Sequence, residues 1–240
     1  MNEMQHAVDE TIILIPAKGG SARLPRKNIR LLGGRPLVAW AIQSARAAAV
    51  SAKVVVSTDD EEIAAVSRDC GAEVPFLRPE ELSKDPAGVV DVALHALEWF
   101  ERHGSQFRTL IILLPTCPFR LAEDIRGALD LFRTADARFL MSVSKYDHTP
   151  FAAMRLDEGS LLTPFFENYI GRKSQELPTA YRPNGAIHVL DVDAFKRTRS
   201  YFSQPLVGFV MPWDRSIDID NASDLRFAES LLSNSERKTF

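Results

Sequence analysis

Two short stretches near opposite ends of the chain hold most of the residues able to do polar chemistry. The first is Lys18-Gly19-Gly20-Ser21-Ala22-Arg23-Leu24-Pro25-Arg26-Lys27-Asn28, and the second is Ser216-Ile217-Asp218-Ile219-Asp220. Glycines let successive backbone N–H groups turn inward, and such a nest binds anions. The cations Lys18, Arg23, Arg26 and Lys27 around it could neutralise a phosphate chain. It is not a P-loop, because G-x-x-x-x-G-K-[ST] is absent, and no third glycine completes a dinucleotide G-x-G-x-x-G. A solvated basic turn without ligand would also account for the charge cluster. In an extended chain residues i and i+2 share a face, so Asp218 and Asp220 point together while Ile217 and Ile219 point to the core. Adjacent carboxylates repel unless a cation lies between them, and hard oxygen ligands suit magnesium. Magnesium on a nucleoside triphosphate neutralises oxygens on which charge builds. The rival explanation is a strand end whose second Asp caps the next helix.

The elements that must position these residues read as an α/β chain. Residues 12–15 (Ile-Ile-Leu-Ile) form a strand buried on both faces, ended by Pro16, that delivers the glycine loop. A helix over 36–49 and a strand over 53–57 follow. Thr58-Asp59-Asp60 then caps a helix through residue 69, with Asp59 read as the N-cap. This β-loop-α-β-α order implies a right-handed crossover and a parallel sheet. Further on come a short strand (73–77), a helix (89–103), an apolar strand (109–114), a helix (122–134) and a strand (138–143). From 144 to 180 the alternation is lost, which reads as an inserted arm that covers the site or pairs with a second subunit. Strands at 184–190, 207–211 and 216–219 and a helix at 224–232 close the chain, with 233–240 frayed. The expectation is one domain over 1–240, an α/β fold with a mostly parallel central sheet flanked by helices, and nucleotide at the carboxyl ends of the strands.

The whole-chain balance narrows the partners. The 240 residues suffice for one α/β domain with a full core, and 45% hydrophobic with 25% charged residues is ordinary for a globular protein. A net charge of −3 disfavours nucleic acid or an anionic membrane as partner, so the basic residues act locally. Cys70 and Cys117 are far apart with no metal-ligand spacing, and Cys117 reads as a packed thiol. The polar, acidic segment 1–10 is neither signal nor transit peptide, and no apolar run reaches membrane-span length. A soluble protein of the reducing cytoplasm is expected. His6, His95, His103 and His148 have no partner at a useful spacing.

Pro16-Ala17-Lys18-Gly19-Gly20-Ser21-Ala22-Arg23-Leu24-Pro25-Arg26-Lys27-Asn28 resembles the signature loop of the acylneuraminate cytidylyltransferase (CMP-sialic acid synthetase) family, P-A-R-G-G-S-K-x-[IL]-P-x-K-N. Lys18 stands where the family has Arg, and Ala22 where it has Lys, with Arg23 next to it to supply the charge. Arg and Lys are not equivalent at a bidentate phosphate contact. Ser216–Asp220 resembles the family's C-terminal metal motif without departure. Val55–Asp59, Phe76–Asp85 and Arg182–Ile187 resemble further segments, so the similarity spans most of the chain.

The resemblance implies a Rossmann-like nucleotidyltransferase fold with a dimerisation arm at about 144–180, and hence a homodimer. It implies CTP held by Ala17, Lys18, Gly19, Gly20, Ser21, Arg23, Lys27, Asn28, Arg78 and Ala87, with Arg78 at the cytosine, where an arginine fork suits the O2 and N3 acceptors. Lys27, Arg23 and Asp220 would be catalytic, Asp218 and Asp220 would hold Mg2+, and Leu114, Arg182, Asn184, His188, Tyr201 and Phe202 would line the sugar pocket. The implied reaction transfers CMP from CTP to the anomeric hydroxyl of a nine-carbon 2-keto-3-deoxy sugar acid, releasing pyrophosphate. Leu114 replaces a family Gln that binds the sugar, and His188 a Tyr, which points away from plain N-acetylneuraminate. A deoxygenated, doubly N-acylated acid of the legionaminic or pseudaminic type suits the more apolar wall. Two rivals stand beside this reading. A 3-deoxy-octulosonate cytidylyltransferase shares the loop but has an Asp after the mid-chain strand, where this chain has Leu114-Pro115-Thr116-Cys117. A non-catalytic nucleotide-binding regulatory module is the other.

Overall fold

A computed structural model describes residues 8–237. The first seven residues of the acidic segment and the tail 238–240, on which two of the expectations fall, lie outside them. In chain order the elements are β1 (Val8–Pro16), β2 (Leu31–Leu32), β3 (Arg35–Pro36), α1 (Leu37–Ala47), β4 (Lys53–Ser57), α2 (Glu61–Asp69), α3 (Val89–Arg102), β5 (Gln106–Ile112), α4 (Ala122–Thr134), β6 (Phe139–Lys145), β7 (Met154–Leu156), β8 (Leu162–Pro164), β9 (Tyr181–Asp191), α5 (Val192–Thr198), β10 (Leu206–Val210) and α6 (Ala222–Arg237).

Six strands make the central sheet in the order β10-β6-β9-β5-β1-β4. β1 pairs in parallel with β4 and β5, and β10 with β6, while β9 runs antiparallel between β5 and β6. The expected mostly parallel sheet is thus observed, with helices on both faces. Ile12, Ile13, Leu14 and Ile15 are all fully buried. Ile13 and Ile15 pack in the cluster under α1 and α4, and Ile12 and Leu14 in the one under α3 and α5. That is why four consecutive apolar residues are needed. A third cluster joins Leu24, Leu32 and Leu37 to Ile217, Ile219 and Ala228, tying the glycine loop to the last helix.

The reversed β9 matters for the site. Because it runs against its neighbours, its first residues lie at the edge where β1, β4 and β5 end; Pro183 faces Val143, and further along His188 faces Ile112. Gly185 adopts φ +70°, and a Cβ there would come within 3.2 Å of Leu114 Cδ1, so glycine is required beside the β5–α4 turn.

Several expected elements differ. Residues 73–77 form only two isolated bridges, Val55 to Glu73 and Thr58 to Leu77, alongside β4. Residues 216–219 are not a strand: they follow the 3-10 turn Trp213–Arg215 and join the body by single bonds such as Ile219 N–H to Thr116 O at 2.8 Å. The alternation that suggested a strand survives as burial, with Ile217 and Ile219 in the core. α6 runs to Arg237, past the frayed end expected from 233. The 144–180 segment carries the β7–β8 hairpin and three 3-10 turns, with Phe151 packed on Phe166 and Tyr169. It leaves Leu156, Leu161, Leu162, Phe165 and Ile170 more than half exposed.

Candidate active site

The glycine loop leaves β1 at Ala17, whose N–H donates to Ser57 O at 2.9 Å and so docks the loop on the end of β4. Gly19 follows, and its N–H donates to Asp59 Oδ1 at 3.0 Å. A Cβ on Gly19 would meet Asp60 Cβ at 2.9 Å, so this close approach also demands glycine. Gly20 and Lys18 are exposed and Ser21 half-buried, leaving this part of the loop open to a ligand. Asn28 is buried and spends its amide on the loop, donating from Nδ2 to Lys18 O at 2.8 Å. Of the four cations, Arg26 is withdrawn: it pairs with Asp60 at 3.2 Å and Glu62 at 2.5 Å on the first turn of α2.

Lys27 and Arg23 instead converge on one carboxylate. Lys27 Nζ donates to Asp220 Oδ1 and Arg23 Nη2 to Asp220 Oδ2, each at 2.9 Å. Partial burial raises the Asp220 carboxyl, but the two cations outweigh it and hold the group below the ordinary carboxylate range. Asp218 goes the other way: though its side chain is exposed, partial desolvation, and then the charge of Asp220, raise it. Asp220 is free for this because it caps nothing. Asn221 Oδ1 accepts from the N–H groups of Ser223 and Asp224, and Asp224 Oδ2 accepts from those of Asp220 and Asn221.

Asp59 also differs from its expected role. The N-cap of α2 is Asp60, whose Oδ1 accepts from Ile63 N–H at 3.0 Å. Asp59 stands one residue earlier and holds Gly19 and Arg78, the latter at 3.2 Å. Partial burial raises its carboxyl, but these donors win and keep it below the usual range. Arg78 is buried, with Nε donating to Ser83 Oγ at 3.0 Å. Arg78, Lys18, Lys27, Asn28, Ala87 and Leu114 line one cleft of about 220 Å³. Five of the ten residues expected at the nucleotide thus line this cleft, while Ala17, Gly19, Gly20, Ser21 and Arg23 do not.

A second cleft, of about 320 Å³, opens beyond Asp218 and is lined by Arg182, Pro183, Asn184 and Asp218 with Trp213, Ile217 and Phe227. Thr116 lines the first cleft and Asp218 the second, and the Ile219 N–H donating to Thr116 O at 2.8 Å joins the two segments into the partition between them. Arg182 and Asn184 arrive through the reversed β9. The Asn184 amide is largely occupied: Oδ1 accepts from Ser142 Oγ at 2.5 Å and Ala186 N–H at 3.1 Å, and Nδ2 donates to Ser216 Oγ at 2.9 Å. The other expected sugar residues are not in this cleft. Leu114 faces the first one, His188 is buried with Tyr201 packed edge-on at 4.8 Å, and Phe202 is 52% exposed beside Tyr201.

Thr116, Arg120 and Ser142 are not singled out by the sequence, because they act only through contacts distant in it, and Ser216 is named only as part of the aspartate motif. Fully buried Arg120 donates from Nη1 to Ala186 O at 2.7 Å, bracing the Leu114–Thr116 turn against β9. Cys117 is a packed thiol, as expected: burial, with the Asp218 charge, pushes it up to about 12. The described residues contain no cluster of three or more His, Cys, Asp or Glu side chains. Asp218 and Asp220 are the carboxylates expected to hold Mg2+, which needs one or two carboxylates and takes its remaining ligands from phosphates and water; both Asp220 oxygens are paired here with Lys27 and Arg23.

A mostly parallel α/β sheet, a cationic glycine loop at its carboxyl edge and a cleft on either side of the segment that carries the paired aspartates define a nucleotide-dependent transferase. The chain belongs to the cytidylyltransferase family. Residues 12–104 match the family model described as cytidylyltransferase. The chain is 34% identical over 223 residues to CMP-N,N'-diacetyllegionaminic acid synthase of Legionella pneumophila, covering 92% of this chain and 95% of that protein. It is 31% identical over 231 residues to pseudaminic acid cytidylyltransferase of Campylobacter jejuni, covering 96% and 100%. The fold is similar to that of CMP:2-keto-3-deoxy-manno-octonic acid synthetase complexed with CTP, with TM-score 0.70, 17% identity and coverage of 94% and 99%.

Proposed function

We propose that this chain transfers CMP from CTP to the anomeric hydroxyl of a nine-carbon 2-keto-3-deoxy sugar acid of the doubly N-acylated, deoxygenated kind. The observation that carries this reading is the pair of clefts on either side of the joined Thr116 and Asp218–Ile219 segments, with Lys27 lining the first and bonded to Asp220 beside it. CTP lies in the first cleft with its base towards Arg78 and its phosphates under Gly19, Gly20, Ser21 and Lys18. The sugar acid lies in the second, its carboxylate towards Arg182. Its anomeric oxygen attacks the α-phosphorus in line, the bond to the β-phosphate oxygen breaks, and pyrophosphate leaves. Arg23 and Lys27, held in place by Asp220, face the charge that builds on the α-phosphate and the leaving group. One carboxylate of the pair would take the proton of the attacking hydroxyl, and of the two Asp218 lines the acceptor cleft. Mg2+ held by Asp218 and Asp220 would neutralise the phosphate oxygens.

Homodimer formation belongs to the same reading. The exposed Leu156, Leu161, Leu162 and Phe165 of the 144–180 arm form an apolar surface that a second copy would cover. Sedimentation of the native chain against Leu161→Glu tests it, with a monomeric native chain as the refuting result. A cytoplasmic location is likewise proposed, for fractionation to check; among the described residues no helix is long and apolar enough to cross a membrane.

The deciding experiment is pyrophosphate release with CTP and Mg2+ against N,N'-diacetyllegionaminic, pseudaminic, N-acetylneuraminic and 3-deoxy-octulosonic acids. Turnover of a nine-carbon acid is expected. Turnover of the eight-carbon acid alone would overturn the substrate class, and CTP binding without turnover would favour a regulatory module.

A further inference from the structure

The acceptor cleft has a wall that nucleotidyl transfer alone does not require. Trp213 and Phe227 line it with ring centroids 5.7 Å apart at 64°, an edge-to-face pair, and each stays about two-fifths exposed at 41% and 42%. Arg182, Asn184, Asp218 and Asp224 line the same cleft. Its lining thus combines one cation, an amide and two carboxylates with an aromatic pair.

The aromatic side is held firmly. Trp213 opens the 3-10 turn Trp213–Arg215. Arg215 grips Asp124 on α4 with two nitrogens, at 3.0 and 2.8 Å. Ser216 Oγ donates to Pro212 O at 2.8 Å and accepts from Asn184 Nδ2 at 2.9 Å. The turn is fastened to α4 on one side and β9 on the other, yet the indole between these anchors is left uncovered. Fixed aromatic rings beside a few polar groups are the usual lining of a small-molecule site, and about 320 Å³ lies at the small end of the range of roughly 300–1,000 Å³. Aromatic faces take up methyl-bearing groups at little entropic cost because the rings have few rotamers to lose.

We infer that Trp213 and Phe227 are the specificity wall of the acceptor site, receiving a methyl-bearing substituent of the sugar acid while Arg182 receives its carboxylate. This rests on the cytidylyl-transfer reading. The group in question is the methyl of the second N-acyl group or a deoxygenated chain end. Both are present in N,N'-diacetyllegionaminic acid, whereas N-acetylneuraminic acid carries a single N-acyl group and a hydroxylated tail. The wall therefore favours the first acid over the second.

The test compares kcat/KM for these two acids in the native chain, Trp213→Leu and Phe227→Leu, with thermal melting as the check on folding. Removing one such contact is worth roughly 10- to 200-fold in discrimination. The ratio of the two acids is expected to fall at least about tenfold in Trp213→Leu, while KM for CTP stays within about twofold. A third acid with both N-acyl groups but a hydroxylated chain end separates the two methyl sources. Tryptophan fluorescence gives a readout free of turnover: the change on adding sugar acid should be present in the native chain and lost in Trp213→Phe. A ratio unchanged in both leucine variants overturns the wall while leaving cytidylyl transfer intact. An altered sedimentation coefficient in Trp213→Leu would make the pair an interface between copies and also overturns it. Silence of the native chain towards both acids would sink the transfer reading itself, and this inference with it.

Discussion

Lys27 Nζ meets Asp220 Oδ1 at 2.9 Å across 193 positions of sequence, and Arg23 takes the carboxylate's other oxygen. The carboxylate orders the exposed Arg23 guanidinium and the largely buried Lys27 ammonium together. Arg23 is 71% exposed, so its contact contributes little to stability, about 0–1 kcal/mol, while Lys27 is 16% exposed and its contact contributes more. Asp220→Asn should therefore lower the melting temperature modestly and lower kcat/KM for pyrophosphate release by about 100- to 1,000-fold, the usual loss for one charge-stabilising group. A large drop in melting temperature with activity retained would make the contact a structural clamp.

Asp59 joins the phosphate loop to the base cleft by accepting from Gly19 and Arg78 together. Asp59→Ala would strand the Arg78 guanidinium, whose side chain is only 3% exposed. Breaking such a buried pair costs roughly 3–5 kcal/mol. The expected outcome is a clear fall in urea midpoint and a rise of about tenfold or more in KM for CTP, roughly the effect of losing one charge-assisted bond. A cycle with Arg78→Ala should show strong coupling, and additive losses would mean the two residues act separately.

Asn184 resembles a sugar ligand by motif, but its amide is committed to Ser142 and Ser216. Through Ser216 it fixes the segment that carries Asp218. If positioning is its role, Ser216→Ala and Asn184→Ala should both lower kcat, by about tenfold for a lost bond worth 1–1.5 kcal/mol, with KM for the sugar acid within about threefold. A direct ligand would instead raise KM for the sugar in Asn184→Ala alone. Steady-state kinetics of the two variants separates the cases.

β1 was legible because only a strand covered on both faces needs Ile12 through Ile15 all apolar. The glycine loop and the paired aspartates were legible because their chemistry is local: spacing alone puts the cations, or the carboxylates, together. Asp59 was misread because both Asp59 and Asp60 spell an N-cap, and only the loop folding back onto Gly19 decides between them. The segment 216–219 was misread because alternating burial also arises in an irregular stretch lying over a core. Arg26 could not be separated from its neighbours, since the acids that withdraw it lie on α2. Trp213 and Phe227 carry no local signal, as they converge only when the turn before Asp218 packs beside α6.

His188 gives a prediction about pH that does not depend on the reaction. The ring is buried on β9, its Nδ1 has no partner, and Tyr201 lies edge-on to it. Burial lowers its pKa from 6.5 to about 4, so the folded chain keeps the ring neutral where the unfolded chain would protonate it. The sign follows. Above pH 6.5 both states are neutral and His188 adds no pH dependence. As pH falls from 6.5 towards 4 the unfolded state gains a proton that the native state lacks, and stability declines by up to about 1.4 kcal/mol per pH unit. Below about 4 the loss levels off. Burial also lowers His95, so the native chain alone would mix two contributions. His188→Phe keeps a ring of similar size and removes one of them. Between about pH 7.5 and pH 5, urea unfolding should show the native chain losing about 2 kcal/mol more than this variant. Equal losses would mean that water or a hydrogen-bond partner reaches the ring in solution, and that His188 is not the neutral core residue its burial makes it.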